Sequence, residues 1–198
     1  HSSFPVGKVK MLNMYPMDFE EFLIANGNIA LINEIKKCYE NNIPMDSVLH
    51  EKALNLYRLY LCVGGMPEAV KNLLENDKNI LKFDKSIIED IYKSYLNDMN
   101  KYVANKFEAV KIEEVYKSIP SQLGNMSNKF QYGKISSNAR KRDYETALNW
   151  LLSSTMVHKS VILNKVEIPP LGFAIDDHFK LYLSDTGILL NMLQMKYN

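Results

Sequence analysis

The chain has 198 residues, of which 46% are hydrophobic and 24% charged, and its formal net charge is +1 at pH 7. This composition excludes intrinsic disorder and a polyelectrolyte, so a nucleic-acid surface would need local clustering of basic residues. Two cysteines and four scattered histidines disfavour a disulfide scaffold and a metal site. No apolar run reaches the roughly 18 residues of a membrane span. We therefore expect a cytoplasmic protein without a membrane partner, and the start at His1 rather than Met indicates a fragment of a longer protein.

The first predicted elements are a short strand and two helices. Alternating apolar and polar residues predict a strand over 9–15. Asp18, with Glu21 three positions later, forms a capping box that begins a helix. After an interruption at Asn26-Gly27, helical spacing resumes over 29–38.

The next two helices are separated by a glycine pair. Asp46 or Ser47 caps the first of them, and Gly64-Gly65 ends it. Pro67 lies in the first turn of the second, where its missing N–H has no cost.

The pattern of predicted elements changes after Lys106, which predicts a domain boundary near residue 105. Helices followed by two strands are typical of a winged helix-turn-helix. The fold class predicted for the whole chain is therefore mainly α, a helical lid-like bundle followed by a winged helix-turn-helix with a short β wing. The remaining predicted elements are helices over 80–104, 109–118 (ending at Pro120) and 141–153, strands over 156–163 and 179–183, and a final helix over 186–195 that Ser184-Asp185 caps.

Candidate sites for phosphate are few. Gly7-Lys8 lacks the upstream glycine and the following Ser or Thr of a P-loop. Gly64-Gly65 precedes a helix N-terminus, whose free N–H groups can bind an anion, although a plain helix end and restart is the simpler interpretation. Adjacent carboxylates point apart and the histidines have no catalytic context, so we assign no catalytic residue and no metal ligand.

The clearest local signal is positive charge before and at the start of the helix over 141–153. Between residues 121 and 142 there are five cations and no acid: Lys129, Lys134, Arg140, Lys141 and Arg142. In a winged helix they would flank the recognition helix, where they favour contacts with DNA phosphates. Asp143 and Glu145 follow directly and disfavour base-specific contacts. A solvated or interdomain face is the alternative interpretation.

Several motifs, in order along the chain, resemble a family of prokaryotic AAA+-type P-loop ATPases with a C-terminal domain of unknown function. They are Phe4-Pro5-Val6-Gly7-Lys8, Tyr15-Pro16-Met17-Asp18-Phe19-Glu20-Glu21-Phe22-Leu23, Gly64-Gly65-Met66-Pro67-Glu68, Tyr144-Glu145-Thr146-Ala147-Leu148-Asn149-Trp150-Leu151 and Phe179-Lys180-Leu181-Tyr182-Leu183-Ser184-Asp185-Thr186-Gly187. The first two resemble the segment after the sensor strand, the third a lid motif, the fourth a winged helix and the fifth the strand that opens a nuclease-like fold.

The resemblance implies a division of the chain into four parts. These are a residual strand segment of the ATPase core at 1–17, a lid-like helical domain at 18–104, a winged helix at 105–168 and the start of a nuclease-like domain at 169–198. The Walker residues are implied to lie upstream, so ATP and Mg²⁺ belong to the parent protein and this chain holds no cofactor. Lys8, Gly64 and Gly65 are implied to lie near the nucleotide.

Three functions follow as hypotheses. The first is a non-catalytic, regulatory portion of an AAA+-type ATPase that couples nucleotide state to the winged helix, with its own upstream ATPase domain as partner. The second is a weak nucleic-acid-binding module, and the third is a protein-interaction domain. A homo-oligomer is compatible with each of them.

Overall fold

The structure, a computed structural model, describes residues 10, 12–103, 105–124 and 129–195. As predicted, this part of the chain is mainly helical, with one small antiparallel sheet. The elements are α1 (Phe19–Ala25), α2 (Ile29–Glu40), α3 (Ser47–Val63), α4 (Pro67–Glu75), α5 (Ser86–Lys101), α6 (Lys106–Leu123), α7 (Lys141–Ser153), β1 (Val157–Leu163), β2 (Ala174–Leu183) and α8 (Thr186–Met192).

Local capping determines where several helices begin. Asp18 accepts a hydrogen bond from the Glu21 N–H at 2.8 Å, and Glu21 accepts one from the Asp18 N–H at 2.9 Å, so the predicted capping box at α1 is confirmed. Asp46 caps α3 through the N–H groups of Val48 and Leu49. Such caps satisfy N–H groups that have no partner inside the helix.

Two predictions in the first half are wrong. Residues 12–15 form no strand, because no other strand of the described chain lies beside them. Positions 9 and 11 of that prediction lie outside the described residues. The helix predicted over 80–104 begins only at Ser86. Asp84 accepts hydrogen bonds from the Ser86 N–H and hydroxyl, and this local turn replaces the first helical turn.

Three element ends in the second half also differ from prediction. α6 continues past Pro120 to Leu123, because Ile119 and Pro120 are both buried and tertiary packing outweighs the lost N–H. β2 begins at Ala174, five residues before the predicted start, since its first residues lie opposite the end of β1. α8 ends at Met192 rather than 195.

Two main hydrophobic clusters form the interior. One includes Tyr116, Leu151 and Phe179 from α6, α7 and the sheet. The other joins the early helices to the last one, since Ile188 of α8 lies with Phe22 and Val63. Tyr92, Tyr95, Leu183 and Met192 are half-buried against both clusters. α5 and α8 therefore connect the parts that the sequence predicts as separate domains, and that domain division stays a prediction.

The sheet is a single hairpin. Val157 lies opposite Leu183 and Val161 opposite Phe179, and these residues face the core. On the other face, the ring of Tyr15 lies 5.7 Å from that of His158. None of the described helices is long and apolar enough to cross a membrane.

Candidate functional site

Three distant segments meet with their backbones in direct contact: Met17, the turn Gly64-Gly65 between α3 and α4, and the start of α8 at Asp185–Gly187. We call this contact the joint. The Met17 N–H donates to the Gly65 carbonyl at 2.7 Å. The Tyr60 hydroxyl donates to the Met17 carbonyl at 2.9 Å. Both polar groups of the Met17 backbone are thus bonded to α3 or to the turn that follows it.

The backbone segments of the joint lie so close together that glycine is required where they meet. Gly64 has φ 79° and ψ −172°, a conformation almost confined to glycine, which confirms that α3 ends here and α4 starts anew. A methyl carbon placed on Gly65 would lie 2.8 Å from the Met17 nitrogen and closer still to its carbonyl oxygen. One placed on Gly187 would lie 2.8 Å from the Val63 carbonyl carbon. No side chain therefore fits between Gly65 and Met17 or between Gly187 and Val63.

Asp185 is the charged residue of the joint, and only 3% of it is exposed. One carboxylate oxygen accepts the Ile188 N–H at 2.9 Å, which caps α8, and the other accepts the Gly65 N–H at 2.7 Å. Burial raises the pKa of this carboxyl above its ordinary value, while the N–H donors of Ile188 and Gly65 lower the pKa in part. The same carboxylate thus joins positions 120 residues apart.

This carboxylate occupies the place that the sequence suggested for an outside anion. The Gly65 N–H, ahead of the α4 N-terminus, is bonded to Asp185 and is not open to a phosphate in this conformation. Proximity of Gly64 and Gly65 to a nucleotide stays a prediction. Lys8 lies outside the described residues.

The five predicted basic residues are all exposed. Lys141 has an ionic partner that the local sequence does not reveal. Lys141 at the start of α7 bonds to Asp177 of β2 at 2.8 Å. This contact raises the pKa of Lys141 and lowers that of Asp177, and Lys129 lowers the pKa of Asp177 further. Lys134 ends a short 3₁₀ turn, Tyr132–Lys134.

Arg140 and Arg142 line an open polar hollow of about 410 Å³ at the start of α7, together with Ser137 and Asn138. Asp143 also borders it. This carboxylate accepts the Arg140 N–H at 3.3 Å and lies 3.5 Å from the Arg142 guanidinium. The hollow therefore contains two cations and one anion.

Sequence reasoning missed two acids that define these sites. Asp185 was recognised only as a helix cap, a signal contained within four residues, whereas its second partner is Gly65. Asp177 was not assigned a role, because its partner Lys141 lies 36 positions away. Among the described residues, no three His, Cys, Asp or Glu side chains are grouped as a metal site requires.

The chain belongs to the family described as Domain of unknown function (DUF8612), whose family model matches residues 54–198. The matched region contains Gly64, Gly65, Asp185 and all five basic residues, whereas Met17 precedes it. No curated protein and no solved structure matches the chain.

Proposed function

We propose that this chain is the non-catalytic, regulatory portion of an AAA+-type ATPase and that it couples the nucleotide state of an upstream domain to its own C-terminal part. The observation that carries the proposal is the joint. Met17 belongs to the segment that resembles the end of the ATPase core, and its backbone is bonded to the lid-like turn at Gly65. Asp185 bonds the same turn to α8.

Backbone contacts of this kind suit the transfer of a displacement. No side chain that could absorb a small movement lies between Gly65 and Met17 or between Gly187 and Val63, and packed elements shift as units rather than deform continuously. A shift of Met17 would therefore move the Gly64-Gly65 turn, and through Asp185 it would move α8. α8 in turn packs against β2 and α5.

The part that would receive the movement is, in our proposal, a reduced winged helix. α6, α7 and the β1–β2 hairpin follow each other in the required order. The Phe130 N–H donates to the Phe179 carbonyl at 2.7 Å, which adds a third segment to the edge of β2. The Tyr132–Lys134 turn stands where a full middle helix would be expected.

Hydrogen exchange on the full-length protein tests the coupling. The natural sequence before residue 1 is expected to contain Gly-x-x-x-x-Gly-Lys-Ser/Thr, and ATP with Mg²⁺ is expected to change amide exchange at residues 63–66 and 185–188 together. This chain alone is expected to bind no ATP and to hydrolyse none. An upstream sequence without that motif, or exchange that ATP changes in only one of the two segments, would contradict the proposal.

A second proposal is weak, mostly non-specific binding of duplex DNA. The observation in its favour is the open hollow with Arg140 and Arg142 at the start of α7. Phosphate contacts release counterions, so binding should weaken steeply with salt. The Lys141–Asp177 contact and the nearby Asp143 limit the affinity, because each places a negative charge where the DNA backbone would approach.

Fluorescence anisotropy at low ionic strength separates this proposal from an interdomain role. The double reversal Arg140→Glu and Arg142→Glu is expected to remove most of the binding and to reduce the slope of log K against log salt by about 0.9 for each lost phosphate contact. The matched control, Lys71→Glu with Lys82→Glu, changes net charge equally at exposed positions that do not line the hollow. Equal losses in both variants would show an effect of overall charge alone.

A further inference from the structure

The loop at the end of the β1–β2 hairpin, residues 164–172, exposes every one of its residues. Three are aliphatic: Val166 and Ile168 are each 95% exposed and Leu171 is 81% exposed. The base of the loop is fixed, since the Asn164 N–H donates to the Phe173 carbonyl at 2.9 Å. We call this loop the hairpin tip. Three exposed aliphatic side chains within six positions of one loop are a candidate interaction surface.

The charges of the hairpin tip favour a protein partner. It carries one cation, Lys165, and one anion, Glu167, with their charged atoms 4.0 Å apart, so its net charge is zero. A surface that binds nucleic acid needs an excess of positive charge, which the tip lacks. An apolar, electrically neutral protrusion fits an apolar depression in a protein.

The same chain contains a depression of that kind between α1 and α2. This groove has a volume of about 250 Å³. Its rim carries Glu20 and Lys36, whose charged atoms are 2.5 Å apart. The apolar residues that line it are Phe19, Leu23, Ile32, Ile35 and Tyr39.

We infer that the hairpin tip of one copy docks into the α1–α2 groove of a second copy. The aliphatic tip residues meet the apolar walls, Lys165 meets Glu20, and Glu167 meets Lys36. Both ion pairs exchange partners across the contact, so no charge is left unpaired when water is excluded. Tip and groove are different surfaces, so the contact is head to tail and each copy retains one free tip or groove until a ring closes.

Sedimentation velocity tests the contact over concentrations from about 10 µM to about 1 mM, the range expected for a small interface. The tip variant is Ile168→Asp and the groove variant is Tyr39→Lys, a residue that is 87% exposed. Each is expected to weaken self-association at least about tenfold, as for a central contact residue. The control Leu81→Asp alters an aliphatic residue that is 80% exposed and lies outside both surfaces, and it should associate like the wild type.

Mixing the two variants gives the decisive result. An equimolar mixture retains one intact tip and one intact groove, so it is expected to recover a 1:1 complex that neither variant forms alone. A wild type that stays monomeric throughout overturns the inference. A groove variant that still self-associates also overturns it, because the tip would then meet itself or another surface. Leu171→Asp and Ile35→Lys, with circular dichroism equal to the wild type, repeat the comparison independently.

Discussion

Replacement of Gly65 by alanine tests the rigidity of the joint directly. The added methyl carbon would lie 2.8 Å from the Met17 nitrogen and 2.9 Å from its carbonyl carbon. These are backbone atoms, which cannot rotate away as a side chain would. Gly65 has no positive φ, so the steric contact alone opposes alanine here. The segments must separate, and the bonds from Met17 to Gly65 and from Gly65 to Asp185 weaken together.

The expected cost follows from those two bonds. A neutral hydrogen bond contributes about 0.5–1.5 kcal/mol and one to a charged group about 1.5–3 kcal/mol. Alanine recovers about 0.4–1 kcal/mol by restricting the unfolded chain. The net loss in the free energy of unfolding is therefore about 1–4 kcal/mol, centred near 2.5 kcal/mol. For a chain of this size that lowers the melting temperature by about 5–10 °C.

Urea unfolding followed by circular dichroism measures this loss, with two other glycines as controls. A methyl group added at Gly133 meets no other atom, and the φ of Gly133 is not positive. Gly133→Ala should therefore change the free energy of unfolding by no more than about 0.5 kcal/mol. A methyl group added at Gly27 also meets no other atom, but the φ of Gly27 is 72°. Gly27→Ala should therefore lower the free energy of unfolding by about 1–2 kcal/mol through backbone conformation alone. If Gly65→Ala costs no more than Gly133→Ala, the segments part freely and a rigid joint is refuted.

Three further variants test the joint and the basic surface. Tyr60→Phe removes the hydroxyl bonded to the Met17 carbonyl and should cost about 1 kcal/mol in urea unfolding, whereas a neutral result would place water at that carbonyl. Asp185→Asn places an amide NH₂ opposite one of two N–H donors and should cost about 1–3 kcal/mol. Burial raises the folded pKa of Asp185. The stability advantage of the wild type over the Asn variant is therefore fully present below the unfolded pKa of about 3.9, and it decreases as pH rises through the folded pKa. A difference that grows with pH instead would mean that the N–H donors outweigh burial. Asp177→Asn releases Lys141 and should tighten DNA binding at low salt, and unchanged anisotropy would count against the DNA proposal.

Signals contained within a few residues predicted the fold best. Asp18 with Glu21, Asp46 (one of the two candidates at that helix) and Asp185 each cap a predicted helix, because a cap and its N–H partners lie within three residues. The ends of elements were less predictable where packing decides them. Pro120 was expected to end a helix, yet it is buried inside α6, and nothing in its immediate neighbourhood reveals the core that holds it.

The charge of the basic surface illustrates why the site was only partly predictable. The sequence from 121 to 142 contains no acid, so five cations appeared uncompensated. The antiparallel hairpin returns β2 towards the start of α7, where Asp177 bonds to Lys141. A charge count along the chain cannot include a partner that only the fold brings near. The expected DNA affinity is correspondingly lower than the local sequence suggested.

The Gly64-Gly65 turn is a second case in which the local sequence does not reveal the partner, here for an anion-binding turn. A glycine pair before a helix N-terminus offers N–H groups to a negative charge, and that chemistry is realised here by a carboxylate of the chain itself. Asp185 is held there because its other oxygen caps α8, so one carboxylate bonds both the turn and the start of the helix. An outside phosphate would have to displace a buried group that also begins a helix. This dual bonding favours a mechanical role for the turn, since a movement of Gly65 must either carry α8 with it or break the Gly65–Asp185 hydrogen bond.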